Sequence, residues 1–322
     1  MKARYVIAAT LAVAALALTG CSSTSTPTAK PTVSTLTTET TVNVGLGTGT
    51  YGVAFSTPYF ADNKLKVVQQ PVTSGAAATP LVLNGQLQFA VADSIAALTA
   101  ISQKLPLVIV GLAVSSGSSA KDDSTGVLVR KGGPITSAQD LNGKTVAVNA
   151  LGNTAQVAAE AAIDKLGGDS KTVHFVELAP QAMGAAVGKG TVDAAMTSEP
   201  GIVQGKANGL ASLFGMSEVL PSDPLFVYVT SQSYLDQHPD VVNAFVKSLA
   251  QANSYLDKNP DQLRSAAVTI FHLTPDQAQN MILPKFVPTS IDPSRVKKIM
   301  DLMIKYKVIS SPVDLKKAIY VP

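Results

Sequence analysis

Residues 145–177 read TVAVNALGNTAQVAAEAAIDKLGGDSKTVHFVE. The first five, 145–149, are a short apolar run of strand length. Asn153 and Thr154 then stand where a helix begins, and 154–166 carries apolar residues at helical spacing. A second strand run follows over 173–177. Strand, helix, strand in this order predicts parallel pairing in an α/β sheet. The alternation continues outward, with strands predicted over 42–46, 65–69, 87–92 and 107–112 before this stretch. After it come strands over 192–196 and 210–214 and a helix over 180–188. From Ser231 onward the chain predicts helices alone.

Helix starts in this last region are marked by their chemistry. Thr274-Pro275-Asp276-Gln277 has a capping hydroxyl, proline at the first helical position and glutamine at the third, which gives orphan amides partners. Asn259-Pro260-Asp261-Gln262 predicts the same plan. After His238-Pro239, residues Val242, Phe245, Leu249, Ala252 and Leu256 share one stripe, as in an amphipathic helix laid on a domain. An internal echo is also visible. Asn84-Gly85-Gln86-Leu87-Gln88-Phe89-Ala90 leads to Asp93-Ser94, and Lys189-Gly190-Thr191-Val192-Asp193-Ala194-Ala195 leads to Ser198-Glu199. Two lobes of related design would give this repeat, each placing polar residues at a strand's carboxyl end, where open parallel sheets bind ligands.

At roughly 150 residues per domain, 322 residues make one large domain or two ordinary ones. Charged residues are 15% of the chain, with 25 Lys and Arg against 22 Asp and Glu. Such a sparse, balanced set lacks the basic stripe that displaces counterions from nucleic acid. Lys2 and Arg4 precede a mostly apolar run over 5–18, followed by Thr19, Gly20 and Cys21. The run is short of the about 20 residues a membrane span needs, and the order of zones suits a secretory signal. Leu18-Thr19-Gly20-Cys21 resembles the bacterial lipobox. That resemblance implies a signal peptide over 1–20 and acylation of Cys21. From Ser22 to Thr41, 13 of 20 residues are Ser or Thr, so 21–41 is expected to be a disordered, lipidated tether.

Catalytic constellations are missing from the sequence. His174, His238 and His272 are scattered, and Cys21 is the only cysteine, so no metal site is expected. There is no G-x-S-x-G elbow. Gly47-Thr48-Gly49-Thr50-Tyr51-Gly52 matches a dinucleotide fingerprint, but the next strand ends in Gln69-Gln70, with no acid to hold a ribose. What survives is a loop directing backbone N–H groups at some ligand. Asp122-Asp123, between serines, is expected to be a solvated loop.

Three further stretches are decisive together. They are residues 134–148, with Asp140-Leu141-Asn142-Gly143-Lys144; residues 188–200, with Ser198-Glu199-Pro200; and residues 234–245, with His238-Pro239-Asp240. In order and spacing they resemble the substrate-binding proteins of ABC importers for sulfonates, for nitrate or taurine, and for thiamine-pyrimidine precursors. Segments 59–65 and 81–92 are similar to that family's early segments, so the resemblance runs from about Val42 to the end. It implies a two-lobed periplasmic-binding-protein fold of type II: two parallel-type sheets, two crossover strands and a C-terminal helical region. Lobe 1 would be 42–124 plus 226–322, lobe 2 would be 131–225, and the hinge crossovers 125–130 and 226–230. The implied function is that of an extracytoplasmic solute-binding lipoprotein, not an enzyme. Anchored on the outer face of the cell membrane and monomeric, it would deliver a small organic solute to ABC permease subunits by hinge closure, without cofactor. An enzyme on the same fold and a sensory receptor lipoprotein are the alternatives.

Loops at strand ends nominate the cleft. In lobe 1 these give Thr48, Thr50, Tyr51, Ser74, Gly75, Asp93, Ser94 and Ser115; in lobe 2, Asn149, Asn153, Thr154 and Glu199; Tyr228 is added for stacking. Asn153-Thr154 is both an N-cap and an anion seat in this reading. Beyond the leader the only arginines are Arg130, Arg264 and Arg295. None lies in these loops, so no bidentate clamp on a sulfonate is expected. Asp93 and Glu199 suit a solute with N–H donors, such as an aminopyrimidine.

Overall fold

The computed structural model describes residues 35–47, 49–286 and 291–322. The expected signal peptide, Cys21, most of the tether and Thr48 lie outside the described residues. The end of the tether is ordered earlier than expected: Leu36 packs against a buried cluster, and Thr40 and Thr41 already belong to the first strand. Their β-branched side chains fit a pleated surface.

Ten strands among the described residues form two five-stranded sheets. In chain order they are β1 (Thr40–Leu46), β2 (Leu65–Pro71), β3 (Phe89–Asp93), β4 (Leu107–Ser115) and β5 (Thr125–Arg130). Then follow β6 (Thr145–Val148), β7 (His174–Glu177), β8 (Ala194–Ser198), β9 (Leu210–Ser212) and β10 (Pro224–Ser231). Sheet one runs β2-β1-β3-β10-β4 and sheet two β7-β6-β8-β5-β9. The two orders are equivalent, so the chain has two lobes of one design. β3 and β8, which carry the internal echo, occupy matching places.

The sheets are mixed, which corrects the parallel-type expectation. β1 is parallel to β2 and β3, and β6 to β7 and β8. β10 and β5 run antiparallel to both neighbours. Each reversed strand arrives from the other sheet. The chain leaves β4 at the carboxyl ends of the parallel strands and enters sheet two at the matching ends, Thr125 opposite Ser198. It returns with Pro224 opposite Ser115. A strand entered from that end must run the other way. Residues 125–130 and 226–230, expected as crossovers, are therefore sheet strands, and the chain passes between sheets over 116–124 and 213–223. These passages bond to each other: Ser222 N–H donates to Gly117 O at 2.9 Å and Ser116 N–H to Asp223 O at 3.1 Å.

The helix Pro239–Lys258 buries Val242, Phe245, Leu249, Ala252 and Leu256 on sheet one, as its stripe predicts. Thr274 and Gln277 form the expected capping box. Asn259 does not cap forward; its Nδ2 donates back to Tyr255 O at 2.7 Å, closing the preceding helix. The C-terminal region also does more than cover lobe one. Helix Pro293–Lys305 sends Val296, Ile299 and Met303 into a cluster shared by Leu98 of lobe one and Val146 of lobe two, and Tyr306 donates to Asp164 at 2.7 Å. On the outer edge of β4, Tyr320 N–H donates to Ile109 O at 2.8 Å, which blunts part of that edge. No helix among the described residues is long and apolar enough to cross a membrane.

Candidate functional site

The carboxyl ends of the parallel strands in both sheets face one another, and Asp93 stands where they meet. It ends β3, and its Oδ1 accepts the Ala96 N–H at 2.9 Å, capping the helix Ser94–Ser102. Its Oδ2 accepts the Thr154 N–H at 3.2 Å from the other lobe. Thr154 in turn accepts the Ile95 N–H at 3.3 Å. Two helix N-termini thus point at a single carboxylate, an arrangement favoured because both ends carry partial positive charge. Burial nevertheless pushes the Asp93 pKa up, against the bonds from Ala96 and Thr154. The anion seat read from Asn153-Thr154 is occupied by an acid of the protein itself.

Tyr51 leans on this centre from the turn Thr50–Ser56 that follows β1. Its ring lies 5.1 Å from that of Phe226, and burial, with Asp93 next, raises its hydroxyl pKa. Thr50 is buried beside it. Because the fingerprint glycines lead into this 3-10 turn, the dinucleotide geometry of a long helix is not formed. In lobe two, Asn153 caps the helix Thr154–Lys165 through the Gln156 N–H at 3.1 Å and donates to Asn149 Oδ1 at 2.9 Å. Tyr51, Asp93, Asn149, Asn153 and Thr154 are brought near one another.

The other nominated residues have structural partners. Ser74 is exposed and caps the helix Gly75–Leu83 through the Ala77 N–H at 3.1 Å. Gly75 backs onto β3, where a Cβ would lie 2.8 Å from Ala92 Cα. Ser94 donates to Pro224 O at 2.7 Å. Ser115 N–H donates to Lys285 O at 3.0 Å. Tyr228 is enclosed in the lobe-one core, its ring 5.4 Å from Phe245, and burial, then Tyr51, raises its pKa.

Glu199 follows β8. Its Oε2 accepts the Val203 N–H at 2.9 Å, and its Oε1 the Ile282 N–H at 3.2 Å. Burial raises its pKa against these bonds. The sequence reading missed Phe226 and Ile282, because an apolar residue in a strand or a loop carries no polar signal. Asp123 also departs from expectation. It is buried, with Oδ1 accepting from Thr125 N–H and Oγ1 and Oδ2 from Ser217 N–H. Asp122 stays near the surface; although desolvation opposes it, bonds from Ser118 and Ser119 lower its pKa to about 2.

The arginines are engaged elsewhere. Arg130 donates to Val187 O at 3.0 Å, Arg264 to carbonyls of residues 278, 279 and 281, and Arg295 to Ser222 O at 3.0 Å and Asp223. Among the described residues no group of three or more His, Cys, Asp or Glu is placed to hold a metal ion.

With this geometry in hand, similarity to known proteins is specific. The sequence model of the family described as NMT1/THI5 like matches residues 48–263, well over half of the chain. The taurine-binding periplasmic protein of Escherichia coli (strain K12) is 29% identical over 182 residues, 56% of this chain and 54% of that protein. The match thus spans about half the length of that curated relative. Among solved structures, the periplasmic aliphatic sulphonate binding protein SsuA from Escherichia coli superposes with a TM-score of 0.72 at 18% identity, over 88% of this chain and 92% of that one. The nitrate-binding protein NrtA from Synechocystis PCC 6803 gives 0.69 at 14%, over 86% and 84%. These superpositions establish the two-lobed binding-protein fold.

Proposed function

Since the chain belongs to the NMT1/THI5-like family, we propose that it is the extracytoplasmic receptor of an ABC importer. It binds a small organic solute between its lobes and, as a lipid-anchored monomer, presents the closed form to permease subunits. The observation that carries this reading is the meeting of both lobes at Asp93, Tyr51 and Thr154, with the 3.2 Å bond from Thr154 N–H to Asp93 joining them. A solute touching both lobes binds the closed state better and shifts the population toward it. The names of the relatives support sulfonates and taurine as the solute class; the free chemistry of the cleft supports N–H donors, because Asp93 already holds the anion seat. An aminosulfonate or an aminopyrimidine satisfies that carboxylate, and a plain sulfonate has to displace it.

A thermal-shift screen of the full chain tests the receptor reading, using sulfonates, taurine, aminopyrimidines, aliphatic acids and nitrate. A solute at about 100 times its dissociation constant adds about 2.7 kcal/mol of stability. One class is expected to raise the melting temperature; a folded chain unmoved by every class would remove the reading.

The anchor has its own test. Acyl chains hold a protein through buried CH₂ groups, and multiple chains hold far better than one. Cys21→Ser is expected to move the protein from the membrane fraction to the soluble fraction. Membrane retention equal to that of the unaltered chain would defeat the anchor.

A further inference from the structure

Asp93 and Glu199 hold equivalent positions in the two lobes. β3 and β8 are the third strands of matching sheets, each beside its reversed strand, and the acids stand at their carboxyl ends. Each divides its oxygens in the same way. One oxygen serves the helix that follows its own strand: Asp93 takes Ala96 N–H and Glu199 takes Val203 N–H, both at 2.9 Å. The other takes a backbone N–H from across the molecule: Asp93 from Thr154 and Glu199 from Ile282, both at 3.2 Å.

Thr154 belongs to lobe two. Ile282 heads a segment fastened to lobe one, through Ser115 N–H to Lys285 O at 3.0 Å and through Phe286, buried in that lobe's core. Beside it, Val203 of lobe two packs with Ala267, Ala278 and Met281 of the C-terminal helices. The acid of each lobe therefore grips an amide of the other. We propose that Asp93 and Glu199 are a reciprocal pair of latches holding the lobes closed. The proposal rests on the reading that the lobes part and close. Its physical basis is the split between oxygens. An N–H bond to a carboxylate is stronger than one to a neutral acceptor, yet on opening only the outer oxygen changes partner, gaining water while the helix bond stays.

Asp93→Asn and Glu199→Gln separate the two roles. A side-chain amide keeps one acceptor for the helix, where asparagine is among the preferred caps, and turns an NH₂ donor toward the opposing N–H. Amide hydrogen exchange is followed by mass spectrometry on the full chain without added solute, reading the peptides that contain Thr154 and Ile282. Because a bond to a charged group is worth enough to shift an opening equilibrium about tenfold, Asp93→Asn is expected to speed exchange about that much at Ile282 as well as at Thr154. Glu199→Gln is expected to do the same in reverse, while β1 and β6 keep their protection. Each variant is informative without the other. A change confined to the substituted acid's own partner overturns the latch, as does faster exchange through both cores. No solute is needed, so a failed solute screen and a failed latch remain distinct results.

Discussion

Phe245→Ala is expected to destabilise the chain by about 3–5 kcal/mol, the range for emptying a large aromatic site in a core. Phe245 is fully buried and stacks on Phe89 of β3 with ring centroids 3.8 Å apart and planes within 8°. Phe60 and Tyr228 meet it edge-on at 5.6 and 5.4 Å. Four rings from two helices and two strands share one volume, so the walls cannot relax inward without moving sheet one. Where close packing is this dense, the loss of transfer energy is joined by a cavity cost. Thermal or urea unfolding measures the effect. At about 2–4 °C per kcal/mol for a chain of this size, a fall on the order of 10 °C is expected. A loss below about 1 kcal/mol would mean that the helix Pro239–Lys258 is not fixed through this ring.

The second large effect is expected at the passages between the sheets. Asp123→Ala should cost about 3 kcal/mol or more, because it strands two buried amides and a hydroxyl, each lost partner costing about 1–3 kcal/mol. Asp123 lies on the first passage. Its Oδ1 accepts from Thr125 N–H at 3.0 Å and Thr125 Oγ1 at 2.6 Å. Its Oδ2 reaches the second passage, accepting the Ser217 N–H at 2.6 Å. Gly215 makes room for that reach: a Cβ there would lie 2.3 Å from the carboxylate oxygen. Urea unfolding reads the loss, and an unchanged midpoint would mean that the passages are held by Ser116 and Arg295 without Asp123. Asp123→Asn is expected to fall between the two, since one acceptor survives and a donor then faces a donor.

How far the sequence could be read follows from how local each signal is. The strands predicted over 42–46, 65–69 and 107–112 lie within β1, β2 and β4, because an apolar run of strand length between turns needs no distant partner to be recognised. The helix over 154–166 and its Asn153 cap were legible for the same reason: the cap bonds three residues ahead, to Gln156. Periodicity also placed Phe245 and its stripe. Strand direction was not legible. Nothing within Phe226-Val227-Tyr228 records that this strand enters sheet one from the far lobe, so the sheets read as parallel. Burial of single acids was equally hidden. Asp122 and Asp123 are neighbours in one serine-rich loop, and one is near the surface while the other is enclosed by residues about ninety positions away, at 215 and 217.

The candidate site divides along the same line. Pattern alone determined an α/β alternation, a helical C-terminal region and polar loops at strand ends. Those properties depend on residues within a few positions of one another. Only the tertiary structure decided which polar residues meet. It brought Asp93 to Thr154, 61 positions away, gave Glu199 to Ile282, 83 positions away, and sent Tyr228 into the core. It also engaged Arg130, Arg264 and Arg295 with carbonyl groups. A hydrogen bond across lobes is fixed by where two chain ends are carried by packed sheets, and that placement is a property of the whole core.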